Sequence, residues 1–569
     1  MLPQITSCAL LIAAFAISAA AQQKAVAAAA PVAQADFQIS GTLVDAVNGQ
    51  PIAHARVAIA PVSKRDDFTT MITAEDGRFM FPNVAPGKYT LTAQARGYLL
   101  QSFNQHDQFA SSIVVGPNLQ SAGLVFRLPP DGSISGVITD EAGEPVREAQ
   151  VMLYLTGVAF GSEGTRLRNR ANTNDEGYYH FGHLAPGRYL VAVAATPWYA
   201  QRPMPRPKPA TGSGASGTVT TSFTVYGEGH GSSEVEPGSV PLDVAYPVTF
   251  YSGVTDPGAA SPIILGRGEK AIANLSLQPV PALHIVLNTE EVESGKRGYV
   301  LLQRRVLDGP PVPVRTETRV LSPTTMEVVG IPAGHYTLRN YSANGTAAEW
   351  SPSRDFDVTS NTELDGNFDR GRQYVPISAV FQLASGTLPS SAFLTLSNKK
   401  SRENFNERLK PTGEIEFKQG VPPGAYEVSL GNAPDLYIKS IAAPGASVRG
   451  RSLEVRSAAS LKLTIAVARG EAVVSGTALR EGKPLAGSMI VLVPADPVHN
   501  HVLFRRDQSD SDGTFTLNEV VPGKYTVLAV ENGWDLEWMN PDVLKNYMAQ
   551  GVAVEAQQNG KYDVKVNVQ

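Results

Sequence analysis

Apolar and polar residues alternate with a period of two along most of this chain, in short runs ended by Gly, Pro, Asn or Asp. That period predicts half-buried strands joined by turns. Gln38-Ile39-Ser40-Gly41-Thr42-Leu43-Val44-Asp45 is such a run, and Ile134-Ser135-Gly136-Val137 and Val474-Ser475-Gly476-Thr477 repeat its form. A second pattern follows each. Asp76-Gly77-Arg78-Phe79-Met80-Phe81 leads through Ala85-Pro86-Gly87-Lys88 to Tyr89. Asp-Gly and Pro-Gly are turn dipeptides, so the stretch reads as a hairpin with an aromatic-rich first arm and a second arm beginning at Tyr89. The stretch returns at Glu176-Gly177 to Tyr189 and at Asp512-Gly513 to Tyr525, and in worn form at Gly330 to Tyr336 and Gly413 to Tyr426. Helical periodicity is confined to Pro541–Ala549, where Asn540 caps and Pro541 takes the first helical position.

Repetition of this kind predicts a row of related units. The first, residues 36–130, holds about seven strands, the size and rhythm of a sandwich. The second spans 131–281 and carries an insertion at 201–240, Pro-rich and then Gly/Ser-rich, whose composition predicts disorder. The third, 282–372, and the fourth, 373–471, keep the Pro/Gly-Tyr exit but lose the opening Ser-Gly strand. The fifth, 472–569, copies the first closely. The expected fold is all-β: a tandem array of about five antiparallel β-sandwiches. Units that contact only their sequence neighbours would form a semi-rigid rod.

Charge and leader add a location. The net charge is −5, spread along the chain, which excludes the basic footprint of a nucleic-acid binder. Cys8-Ala9-Leu10-Leu11-Ile12-Ala13-Ala14-Phe15-Ala16-Ile17, followed by Ala19-Ala20-Ala21, reads as a signal peptide over 1–21, with a flexible lead over 22–35. The apolar run is shorter than the roughly 20 residues a transmembrane helix needs. The expectation is export, to the periplasm, the outer surface or the medium. Cleavage near Ala21 would remove the single cysteine and with it thiol catalysis.

The recurring Ile/Val-Ser-Gly, Gly-x-Pro-Leu/Val-x-x-Ala-x-Val, Asp/Glu-Gly-x-Phe/Tyr and Pro-Gly-x-Tyr motifs resemble the carboxypeptidase regulatory-like domain. That family groups with the transthyretin-like (prealbumin-like) and Cna B-type sandwiches, often called a carbohydrate-binding-like fold. The resemblance implies the sandwich fold and points to carbohydrate as a ligand class; it brings no peptidase with it. In the motif, Tyr89, Tyr189, Tyr336, Tyr426 and Tyr525 are placed to bury a ring while the hydroxyl bonds backbone. Gly41, Gly136 and Gly476 inside strands imply a bulge or a close backbone approach.

Candidate chemistry is sparse. The nine histidines supply neither His-x-x-Glu nor His-Glu-x-x-His, and no nucleophile elbow, Walker loop or dinucleotide fingerprint stands in a suitable context. No cofactor is expected. Asp507, Asp510 and Asp512 cluster before a turn Gly and are a weak calcium candidate without the distal bidentate Glu of an EF-hand. Carboxylates before Gly elsewhere in the repeat belong to the turn. Tyr98, Trp198, Tyr341, Tyr437 and Trp534 fall at equivalent places after the second arm. Trp534, Trp538 and Trp198 are the candidates for stacking on a sugar ring; the preferred reading has each aromatic plugging the end of its own core. The expected function is non-catalytic binding or spacing at the cell envelope, with glycans or envelope proteins as partners. An accessory subunit of a separate hydrolase or transporter is the alternative, and a hydrolase with an unrecognised site the next.

Overall fold

The computed structural model describes residues 37–159, 161–201, 242–288, 297–307, 311–322, 324–344, 347–350, 354–365, 374–410, 412–456 and 459–569. The expected signal peptide, lead and insertion, apart from residue 201, lie outside the described residues.

The chain is an all-β tandem array of sandwiches, built on one repeated plan. In the first, the opening strand Phe37–Asp45 sits between Arg78–Val84, antiparallel, and Leu124–Leu128, parallel. Facing it is a sheet of Thr69–Ile72, Arg56–Pro61 and Gly87–Gln94, with Gln101–Ser102 and Ile113–Val115 on its far edge. The parallel pairing of first and last strands recurs. Gly132–Thr139 pairs with Lys270–Ile272, Leu283–Asn288 with Thr362–Asp365, Val375–Leu383 with Leu461–Arg469, and Ala472–Arg480 with Lys561–Asn567. The third and fourth units, whose opening motif is worn, therefore keep the topology.

The Gly inside the opening strand is explained by that closing strand. A Cβ on Gly41 would lie 2.2 Å from the carbonyl oxygen of Leu124 and 2.8 Å from the Phe79 ring, and Gly136 and Gly476 meet Ala273 and Val564 in the same way. Nothing larger than hydrogen fits where backbone and aromatic ring close in together.

The repeated stretch is not a hairpin. Its two arms, Arg78–Val84 and Gly87–Gln94, lie in opposite sheets, and the same holds for the equivalent arms of the other four units. The cause is a bulge at the end of the first arm. Asn83, His183, Gly330, Gly420 and Glu519 have positive φ, and at each the register against the opening strand slips. A bulge bends its strand and re-aims the chain, here across the core. The tyrosine then fixes the corner. The hydroxyls of Tyr89, Tyr189, Tyr336, Tyr426 and Tyr525 donate to the carbonyls of Ala85, Ala185, Pro332, Pro422 and Val521, at 2.6–3.0 Å.

The predicted helix is shorter than its pattern. Pro541–Leu544 is α-helical, with the Asn540 side chain accepting from the Asp542 N–H, and a 3₁₀ turn follows at Met548–Gln550. Among the described residues no helix is long and apolar enough to cross a membrane.

The array is not a rod. Neighbours do meet: the Asp131 N–H donates to Gly97, His284 lies between Asp243 and Glu327 at 2.6 and 2.9 Å, and Arg451 donates to His499. Beyond these, the fifth sandwich packs against the first and the second, closing the chain on itself. Rod behaviour requires units that are apolar only toward sequence neighbours. Met489–Pro494 is buried along its whole length, so its sheet is apolar on both faces.

Candidate functional site

The Asp507–Asp512 segment turns out to be a docking strip for the first sandwich. Lys88 Nζ reaches Asp510 Oδ2 at 2.6 Å and Thr514 Oγ1 at 3.0 Å. The Ser112 N–H donates to Asp510 Oδ1 at 2.8 Å, and the Ser511 N–H donates back to the Ser112 carbonyl at 2.9 Å. Ser111 donates to the Ser509 carbonyl, and the Gln508 amide to the Asn104 carbonyl. Each calcium candidate is already engaged. Asp507 accepts from the Thr516 N–H, Asp510 from Lys88 and Ser112, and Asp512 from Thr514. Among the described residues, no three His, Cys, Asp or Glu side chains are grouped to hold a metal ion.

Electrostatically the strip is unusual at Asp507. Burial pushes its carboxyl up to about 6, against the Thr516 and Gln508 N–H groups that pull it down; neighbouring Asp510 pushes it further up.

Trp534 and Trp538 belong to the same junction. The Trp534 ring stacks on His106 of the first sandwich, 4.0 Å between centroids and 6° from parallel. Arg506 lies under the pair, 5.3 Å from Trp534, 5.7 Å from Trp538 and 4.4 Å from Phe109, with its guanidinium 3.3 Å from Asp107. Burial lowers the pKa of Arg506 and of His106. Trp538 is buried on the second side: the Met539 N–H donates to the Gly161 carbonyl, and Glu537 accepts from the Glu163 N–H at 3.0 Å. Neither ring plugs the end of the sandwich core formed by its own unit. Both join the outer face of the fifth sandwich to other units.

Trp198 stands apart, 87% exposed, its ring edge-on to Tyr199 at 5.8 Å. The Tyr199 hydroxyl donates to Glu141, as does that of Tyr246 at 2.8 Å. Partial burial works to raise the Glu141 pKa, but these hydroxyls hold it below its ordinary value. Trp198 is thus an open aromatic on a pinned support. Tyr98 instead donates to Asp45 within the first unit, and Tyr437 is buried in the fourth.

The carboxypeptidase regulatory-like domain family matches residues 38–120 and 133–204. These spans contain the first opening strand, the corner, and their second copies. Two repeats of the chain, the first and second sandwiches, are thus similar to the carboxypeptidase regulatory-like domain. The fifth sandwich repeats the regulatory-like topology, including the Gly under the closing strand and the tyrosine at the corner. Solved structures that resemble the chain include a streptococcal ancillary pilin, at 12% identity over 51% of this chain and 99% of that one, TM-score 0.18. The Bacillus anthracis TIE protein matches at 11% identity over 94% of this chain and 75% of that one, TM-score 0.16. The minor pilin GBS52 of Streptococcus agalactiae matches at 14% identity over 34% and 94%, TM-score 0.17. No curated protein matches the chain.

Sequence reasoning missed the partners of the tryptophans, because His106, Asp107 and Phe109 sit in a loop with no repeat counterpart. One signal was available. Met489-Ile490-Val491-Leu492-Val493 does not alternate, which is the mark of a strand covered on both faces.

Proposed function

We propose that the chain is an exported, non-catalytic array that presents binding surfaces at the cell envelope, with glycan as the ligand class and Trp198 as its contact. The observation that carries this reading is the separation of roles among the aromatics. The corner tyrosines hold folds together, Trp534 and Trp538 hold sandwiches together, and Trp198 is left 87% exposed on a supported loop. An exposed indole with a fixed base offers a flat apolar face to a sugar ring at little entropic cost. The fold family's carbohydrate association supports the class by analogy only.

A glycan array probed with the full chain and with Trp198→Ala tests the reading. The expected result is saturable binding of at least one glycan class, lost by about ten-fold or more in the variant with the melting temperature unchanged. Equal binding by the variant would remove Trp198 from the site. Turnover of a peptide or glycoside substrate by the chain would overturn the non-catalytic reading. Recovery of the intact leader on protein from the envelope fraction would overturn cleavage.

A further inference from the structure

The second sandwich, like the fifth, has a sheet that is apolar on both faces. Gln150–Ala159 and Gly187–Ala194 turn Met152, Tyr154 and Ala192 away from their own core, onto Val306 and Val312 of the third sandwich. Beside this contact lies a cleft of about 240 Å³. Its floor includes Met152, Val248, Val306 and Val312, all buried. Around it stand Arg170, Arg304 and Arg315. Among the described residues, no Asp or Glu lines it.

The arginines come from both walls. Arg170 belongs to a strand of the second sandwich, Arg304 to a strand of the third, and Arg315 to the loop after Val312–Pro313. The Arg304 guanidinium is held 5.9 Å over the Tyr336 ring. Arg315 has an exposed, long contact with Glu148 at 3.5 Å, which surface screening makes weak. Three arginines around a floor of buried apolar side chains form a positive site that an anion completes. The planar fork of Arg matches a carboxylate in two parallel hydrogen bonds. The floor demands an apolar body, and pockets that combine a mostly apolar lining with a few convergent polar groups are the usual form of small-molecule sites.

We propose that the cleft between the second and third sandwiches binds a small organic anion: a carboxylate head at the arginines and a short apolar body on the floor of the 240 Å³ cleft. The cleft lies between sandwiches, so an occupant also ties the two together. This site is independent of export and of glycan binding, and its failure would leave that reading standing.

Octanoate titrated calorimetrically into the full chain is the test, with acetate and octylammonium as controls. Octanoate is expected to bind saturably at one site, while acetate, lacking the body, and octylammonium, carrying the wrong charge, give no saturable heat. Arg170→Gln combined with Arg304→Gln should weaken octanoate by about ten-fold or more and leave the ligand-free melting temperature unchanged. No octanoate binding at millimolar concentration, equal binding of octylammonium, or unchanged affinity in a folded double variant would each overturn the proposal. If the double variant proves unstable, Arg304→Lys replaces it. Lysine keeps the charge and loses the fork, so weakened binding supports the site and unchanged binding counts against it.

Discussion

A single carboxylate in the docking strip ties stability to pH in a direction opposite to the usual one. The Asp507 pKa is raised to about 6 in the fold, from an ordinary 3.8, chiefly by burial. A raised folded pKa means that the folded state binds the extra proton more tightly than the unfolded state does. Its stabilising contribution is therefore complete below pH 3.8 and is lost as pH rises through 6. The shift corresponds to a swing on the order of 2–3 kcal/mol. Other carboxylates titrate in the same range, so the informative quantity is the difference between proteins. Asp507→Asn keeps an oxygen to accept the Thr516 N–H and abolishes the titration. Calorimetric melts at pH 4.5 and 7.5 should show the variant gaining on the parent at the higher pH. Parallel pH dependence in both proteins would show that Asp507 is not desolvated. The same strip shows how residue types mislead when read alone. Three aspartates before a Gly suggested a cation site, yet the cation that reaches Asp510 is Lys88, a residue of the first sandwich.

At the scale of the element, the corner is the part of the fold that the sequence states most and least clearly. The turn dipeptides and the tyrosine were legible because five copies align them, and the tyrosine hydroxyls do bond backbone. Whether the two arms pair was not legible, since alternation gives the face of each residue and not its partner strand. The bulge decides the matter, and its residues are Asn, His, Gly, Gly and Glu. Gly and Asn at that column are residues that tolerate positive φ, so three of five copies carried the clue. Glu519 is the costly member, with φ 54° and an exposed side chain. Its carbonyl still accepts from Arg505 at 2.8 Å, so the corner does not depend on the carboxylate. Glu519→Gly should relieve about 1 kcal/mol of left-handed strain, less what the freer unfolded chain takes back. Urea unfolding is expected to show a gain of a few tenths of a kcal/mol or more. A loss above about 1 kcal/mol would mean that the side chain supports the bulge.

At the scale of the molecule, the chain joins its ends, and this was the largest departure from the sequence. Repeat proteins are rods when each unit touches only its neighbours. Here the loop around His106–Ser112 and the two-faced strand Met489–Pro494 make a contact that the repeat itself does not encode. The junction couples a half-buried ion pair, the Ser511 N–H donated to the Ser112 carbonyl, and the His106–Trp534 stack. Coupled contacts of this kind hold in a single arrangement or not at all, because each places the groups of the next. Closure also gives Trp534 a test that needs no ligand. The natural sequence has a single cysteine, Cys8, within the predicted leader. A chain lacking Cys8 and carrying Ser112→Cys and Ser511→Cys places two thiols on adjacent backbone segments of the first and fifth sandwiches. Mild oxidation should join them and speed migration on a non-reducing denaturing gel, because the crosslink closes a loop of most of the chain. Adding Trp534→Ala, which removes the stack on His106 and one face of the Arg506 cage, should slow that crosslink. A rod would give no intramolecular crosslink in either protein. An unchanged rate after Trp534→Ala would assign the closure to the Lys88–Asp510 pair and the Ser111 and Gln508 hydrogen bonds.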